Sequence, residues 1–258
     1  HWLLDRNAYA LDVRLALSDT ATRTLDVQYF IWQGDASGTL LADRLGPVFG
    51  TFAPAWLDER TVVYTLITNR DAADPFKHMQ SVLHRLGSDG EAPRLLGTEA
   101  AGGPALAPEE NPMVVVSAGS DWVLGLAFTA RADSRVFVAR REDVTAGAPA
   151  WREVATYDDQ VSRAALRGDT LFVCTTRDSS HGAVLAVDLA GGGGLGSASK
   201  VLERPDLIVA ELAAADDGLY VIGRTDGVSR LFHVPDGGEA AEVELPFPGT
   251  AGSMRRAG

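Results

Sequence analysis

The 258 residues carry 35 acidic and 23 basic side chains, a net charge of −12. That balance argues against a polyanion partner, because binding nucleic acid needs a concentrated basic face, and the basic runs Arg140-Arg141 and Arg255-Arg256 are short. Hydrophobic residues make up 46% of the chain, yet none of their runs approaches the ~18 residues that a membrane-spanning helix needs.

The chain begins with His1, so an upstream segment is expected to be missing. The first apolar stretch is broken by Asp5, Arg6, Asp12 and Arg14 and does not read as a secretory signal, which makes a cytoplasmic address the expectation. Leu11, Leu15 and Leu17 recur at helical spacing, Leu25 to Trp32 is dense in β-branched and aromatic residues, and Thr39 to Leu45 reads as helix again. Residues 1–48 are therefore expected to be a short α/β segment.

From Phe52 the pattern changes to short apolar runs separated by Gly, Asp, Asn and Pro. Thr61 to Thr68 is strand-like and is expected to pair with Ser81 to Leu86, with Asp58-Glu59-Arg60 as a turn. Met113–Ser117 and Trp122–Thr129 flank Ala118-Gly-Ser-Asp121, a natural hairpin turn. Arg135–Arg140 and Trp151–Thr156 complete a four-strand set. Val161–Leu166, Thr170–Thr176, Ala183–Leu189 and Lys200–Glu203 form the next, and Leu207–Ala213, Gly218–Arg224, Val228–Val234 and Ala241–Leu245 another.

These sets share a period. Asp121, Asp169 and Asp217 each precede an apolar strand, and each is 48 residues from the next. A repeat of that length suits one blade of a β-propeller, four antiparallel strands that need neighbours to cover both faces. Asp58 lies 63 residues before Asp121, so the repeat is looser there. The fold class expected is mainly β: a partial propeller of about four blades over residues 49–253, preceded by the α/β segment and followed by a tail, residues 254–258.

The chemistry-bearing residues point away from catalysis. Cys174, the only cysteine, sits in a strand pattern and reads as a buried free thiol. Gly191 to Gly196 contains G-x-G-x-x-G, but a short strand before Pro205 follows where a nucleotide site needs a helix, so a loop is the better account. His1, His78, His84, His181 and His233 are scattered without metal-ligand spacing. The pairs Glu109-Glu110, Asp158-Asp159 and Asp216-Asp217 are adjacent in sequence, and adjacent side chains diverge on a strand, so they read as solvated turn residues. Ser120, Ser197, Ser229 and Ser253 each fail the G-x-S-x-G elbow. No catalytic, cofactor-binding or metal-binding residue is expected.

Two resemblances attach to particular phrases. His84-Arg-Leu-Gly-Ser88 resembles the H-x-L-G-[ST] segment of prolyl oligopeptidase propellers, and Asn111 to Leu124 looks like the start of the blade that follows it there. Ala165 to Val173, Thr176-Arg-Asp178 and Val184 to Asp188 resemble the next blade; Gly227 to Pro235 and Glu244 to Gly249 resemble the one after. The resemblance covers about residues 52–253. It implies a propeller that restricts peptide access to an α/β-hydrolase domain carrying Ser, Asp and His, a domain nothing here matches. The partners it implies are that hydrolase domain and peptide substrates.

Ala10 to Trp32, with Gly38 to Leu45, resembles the opening of phospholipase D/cardiolipin synthase-like proteins. Those enzymes use H-x-K-x-x-x-x-D, and none of the five histidines has lysine two residues on. A phosphodiesterase fragment and a free-standing protein-interaction propeller stand as alternatives to the peptidase-propeller reading.

Overall fold

The structure is a computed structural model that describes residues 54–68, 72–88, 91–100, 103–245, 248–251 and 254. The α/β reading of residues 1–48, and the phospholipase-like resemblance with it, lie outside the described residues.

Sixteen strands are described, and they form four separate four-stranded antiparallel sheets, each a meander in strict chain order. Blade 1 comprises β1 (Ala55–Trp56), β2 (Thr61–Leu66), β3 (Gln80–Arg85) and β4 (Arg94–Gly97). Blade 2 comprises β5 (Asn111–Val116), β6 (Trp122–Phe128), β7 (Ser134–Arg140) and β8 (Arg152–Ala155). Blade 3 holds β9 (Val161–Arg167), β10 (Thr170–Thr175), β11 (Ala183–Asp188) and β12 (Ser199–Leu202). Blade 4 holds β13 (Ile208–Ala215), β14 (Gly218–Thr225), β15 (Val228–Pro235) and β16 (Ala241–Val243). This is the partial propeller that the 48-residue period predicts.

Turn chemistry sets the registers. Arg167 opposes Thr170 across the two-residue turn Gly168-Asp169, and Ala215 opposes Gly218 across Asp216-Asp217. Asp226 and Gly227, at φ of 51° and 81°, form the two-residue turn between β14 and β15, and positive φ at both positions matches the strand twist. The hydrogen bond from Arg141 N to Asp121 O (2.8 Å) recurs as Leu189 N to Asp169 O (2.9 Å), so the repeat is structural as well as sequential. In blade 1 the corresponding bond is Leu86 N to Arg60 O, which puts Arg60, not Asp58, in the place of Asp121. Longer connections between β2 and β3 and between β4 and β5 obscured that register in the sequence.

The two middle sheets, blades 2 and 3, are buried on both faces, and this explains their continuous apolar runs. Along Leu171-Phe-Val-Cys174, Leu171 and Val173 pack with Trp122, Leu124, Val136 and Val138 of blade 2. Phe172 and Cys174 point the other way, against Leu212, Leu219, Val221 and Phe232 of blade 4. Alternation still operates, but both sets of side chains find an apolar neighbour. Between blades 1 and 2, Val63, Leu83, Leu95 and Leu96 meet Val123, Ala127 and Phe137. Gly125 lets this seam close: an added Cβ would stand 3.0 Å from the Trp151 ring and 3.2 Å from Leu96. The Trp151 indole N–H then reaches the Leu95 carbonyl at 2.7 Å.

One element was not foreseen. Helix α1 (Arg141–Ala146) fills the connection between β7 and β8, buries Val144 and stops at Gly147, whose φ of 84° closes it. Its N-cap residue, Arg140, makes no side-chain cap, so the start carries no sequence signal. Beyond β16 the chain is tied back onto blade 4: Ser229 N donates to Gly249 O, and Ala251 N to Ser229 Oγ, both at 2.8 Å. Among the described residues no helix is long and apolar enough to cross a membrane.

Candidate functional site

The first strand of each blade packs against the blade before it, β5 on β2 to β4, β9 on β6 and β7, β13 on β9 and β10. The hairpin turns that leave these first strands are joined by side chains. From blade 2 to blade 3, Ser117 Oγ donates to Leu166 O and Ser120 Oγ to Gly168 O, both at 2.7 Å. The Trp122 indole N–H reaches Asp169 Oδ1 at 2.8 Å, while Arg140 lies 3.9 Å from the centre of its ring system. From blade 3 to blade 4, Arg163 Nε reaches Ala210 O and Arg167 Nε reaches Ala215 O, both at 2.7 Å. At the first seam Arg141 binds Ser117 O and Ser120 O of its own blade and Leu57 O of blade 1.

These bonds surround a small cavity of about 270 Å³ lined by Ser117–Gly119, Leu166–Gly168 and Ala214–Asp216. Its walls are turn backbone whose carbonyls accept from the neighbouring blade. The Ser120 hydroxyl donates to Gly168 O and accepts the Trp122 N–H at 3.1 Å, which commits it to structure on both sides.

The larger cavity, about 670 Å³, lies at the other end of blade 2, beside the β6–β7 turn and the connections into β5 and β9. Glu110 forms its inner wall. This carboxylate is only 5% exposed; it accepts the Ala107 N–H at 2.6 Å and the Arg135 guanidinium at 3.1 Å. Arg135 also binds Glu153 at 2.8 Å and stacks over Phe137. Arg131 makes a two-pronged pair with Asp133, at 2.9 and 2.8 Å, and lies over the Tyr157 ring at 4.9 Å. The Tyr157 hydroxyl is buried beside the Glu110 carboxylate. Burial first, and then hydrogen bonding to the Glu110 carboxylate, push its pKa well up.

The residues singled out in the sequence fall mostly at structural posts. Asp121, Asp169 and Asp217 occupy the turns before β6, β10 and β14. The Gly191–Gly196 loop joins β11 to β12, held by Arg152 Nη1 on Gly193 O at 2.6 Å. Cys174 is buried, and burial raises its thiol pKa. His233 stacks on Tyr220, whose hydroxyl donates to Asp217 at 2.9 Å; His181 is adjacent to Ser180, 3.3 Å away, on a turn. Among the described residues no group of three His, Cys, Asp or Glu side chains is placed to hold a metal ion.

Two carboxylates depart from the solvated-turn reading. Glu110 is buried because Arg135, from β7, neutralises it. Asp159 accepts the Thr156 N–H at 2.9 Å, capping the 3₁₀ turn Tyr157–Asp159, and pairs with Arg177 at 2.7 Å. The ion-pair partners of Glu110 and Asp159, Arg135 and Arg177, come from other strands or loops, out of reach of local sequence. Nor was Tyr157 or the seam arginines Arg163 and Arg167 singled out, and Arg141 was noted only as part of a short basic run; an exposed-looking arginine carries no local sign that its target is a carbonyl one blade away.

No protein-family model and no curated protein matches the chain. Solved structures do. A prolyl endopeptidase from a study of inter-domain dynamics in catalysis and specificity is 21% identical, with a TM-score of 0.63. It is matched over 78% of this chain and 28% of its own length. Prolyl oligopeptidase B from Galerina marginata is 16% identical, with a TM-score of 0.63 over 79% of this chain and 28% of that one. Oligopeptidase B from Leishmania major is 14% identical, with a TM-score of 0.57 over 76% and 28%. The chain thus spans little more than a quarter of the peptidases it resembles. Four consecutive meander sheets, joined turn to turn, give this chain the fold of a prolyl oligopeptidase-like propeller segment.

Proposed function

We propose that this chain is the non-catalytic, peptide-access propeller of a prolyl oligopeptidase-like serine peptidase, acting with an α/β-hydrolase catalytic domain on peptide substrates. In this reading residues 49–253 form the propeller segment, residues 1–48 a separate α/β segment and residues 254–258 a tail. The single observation that carries it is the match of this four-blade array to a quarter-length portion of several such peptidases. The seam supports the role: serine and arginine side chains are spent on neighbouring carbonyls, which suits a rigid wall rather than a reacting centre. A lone free cysteine fits a cytoplasmic setting.

Two measurements test it. The purified chain is expected to leave a fluorogenic prolyl peptide intact; turnover abolished by a serine-directed phosphonate would overturn the non-catalytic reading. Unstructured peptides are expected to bind and folded proteins not to, by fluorescence anisotropy. Equal binding of folded proteins would favour a free-standing interaction propeller.

A further inference from the structure

The first strands β9 and β13 each begin six residues after the last strand of the blade before, Val161 after Ala155 and Ile208 after Leu202. Gly249 stands six residues after Val243, and there the chain returns to blade 4, the Gly249 carbonyl accepting the Ser229 N–H at 2.8 Å. Two further bonds repeat the way β13 is attached to blade 3. Val209 N donates to His181 O, between the second and third strands of blade 3; Ala251 N donates to Ser229 Oγ, at the start of the third strand of blade 4. Arg163 reaches Ala210 O of β13 at 2.7 Å, and its equivalent 48 residues on, Glu211, accepts the Met254 N–H at 3.0 Å. Register confirms the equivalence: Arg163 opposes Cys174, and Glu211 opposes Ile222, again 48 residues on. We propose that residues 249–254 are the first strand of a fifth blade, and that the outer face of blade 4 is the seam on which the rest of that blade, following in the chain, packs.

The side chains of that face are the second, independent observation. Leu124 and Val136 of blade 2 turn to blade 3, and Phe172 and Val184 of blade 3 turn to blade 4; none is more than 8% exposed. Register places Tyr220 and Leu231 at the same posts of blade 4, and there both are only half-buried. On the same face Ile208 and Val243, at opposite edges of the sheet, are 56% and 36% exposed. A repeat that ends a stack turns a polar face outward, whereas this one turns Ile208, Ile222, Leu231 and Val243 that way. What it fits is another four-stranded sheet, apolar opposite Leu231 and Val243. The turn end of the face asks for something different. Tyr220 and His233 stand where blade 3 has Phe172 and Ala186; they stack at 4.6 Å, and Asp217 accepts the Tyr220 hydroxyl at 2.9 Å. Small or polar groups of the fifth blade suit that end. The inference rests on the repeat and not on the peptidase reading, and it moves residue 254 from the tail into a strand.

Three measurements test it. In the 258-residue chain, hydrogen exchange followed by NMR is expected to find the Ala251 and Met254 amides protected to a degree similar to Val209. Glu211→Ala is expected to speed exchange at Met254 about tenfold and leave Val209 unchanged, while Glu211→Gln, which keeps an acceptor, restores the protection. Unprotected amides at 251 and 254 in the parent would overturn the strand. The coding sequence past Gly258 is expected to supply three apolar runs of strand length within about 40 residues; a stop codon inside that span would overturn the fifth blade. The chain extended by that sequence then tests the seam. Leu231→Asp is expected to lower its urea midpoint several-fold further than that of the 258-residue chain, because only the longer chain fully buries residue 231. Equal shifts in the two chains would overturn the seam.

Discussion

Ser120 donates its hydroxyl hydrogen to the carbonyl of Gly168 at 2.7 Å, and Gly168 occupies the place of Ser120 itself one repeat of 48 residues later. Arg167 does the same to Ala215, again 48 residues on. The sequence period is thus also a contact rule: equivalent turns of successive blades touch each other. The chemistry differs at each seam, hydroxyl at one and guanidinium at the next, although the geometry repeats.

Ser120→Ala should therefore loosen one seam without disturbing either sheet. It removes the bond to Gly168 O and the acceptor for the Trp122 N–H, and a cost of about 1–2 kcal/mol is expected. Urea unfolding of parent and variant measures it. A midpoint that does not move would mean that the inter-blade bond contributes nothing net.

Glu110 and Glu109 are neighbours with opposite roles. Glu110→Gln leaves the Arg135 charge half-buried with only Glu153 to hold it, and should cost about 2–3 kcal/mol. Glu109→Gln should change stability by less than about 0.5 kcal/mol. Thermal melts of the two variants side by side give the comparison, and similar shifts would refute the buried-pair assignment.

Cys174 should be inert in the folded chain. Its side chain is buried between blades 3 and 4, and the thiolate needed for reaction is disfavoured there. Labelling by a thiol-reactive disulfide at mildly alkaline pH is expected to track unfolding across a denaturant series. Rapid stoichiometric labelling in native buffer would contradict the packing.

Asp133 ties stability to pH. The Arg131 guanidinium holds its carboxyl below the usual value, chiefly through the direct hydrogen bonds between them. A folded-state pKa below that of the unfolded chain means stability that is present above the ordinary carboxylate pKa, near 3.9, and lost as pH falls through the folded value. The stability gap between parent and Asp133→Asn should accordingly shrink as pH is lowered from about 5 to about 2. Unfolding midpoints at a series of acid pH values test this, and a gap that widens on acidification would reverse the sign.

Much of the fold was legible because it is locally encoded. Gly168-Asp169, Asp226-Gly227 and the Ser117–Asp121 turn each announce a hairpin, and apolar runs between them mark strands covered on both faces. Helix α1 was hidden because six residues without a capping side chain barely depart from a loop. The place of Arg60 was hidden by longer connections inside blade 1 and between blades 1 and 2, which break the 48-residue count. The candidate site was the least legible part. Glu110 reads as one of two adjacent turn carboxylates, and only the approach of Arg135 from β7 separates it from Glu109.

By itself the sequence determined the period, the order of strands and the turns, because these depend on backbone preferences and alternation over a few residues. Which carboxylate is buried, and which carbonyl receives an arginine, were decided only when the blades packed. Those outcomes depend on groups tens of residues apart meeting in a low-dielectric seam, where charge must be matched or excluded.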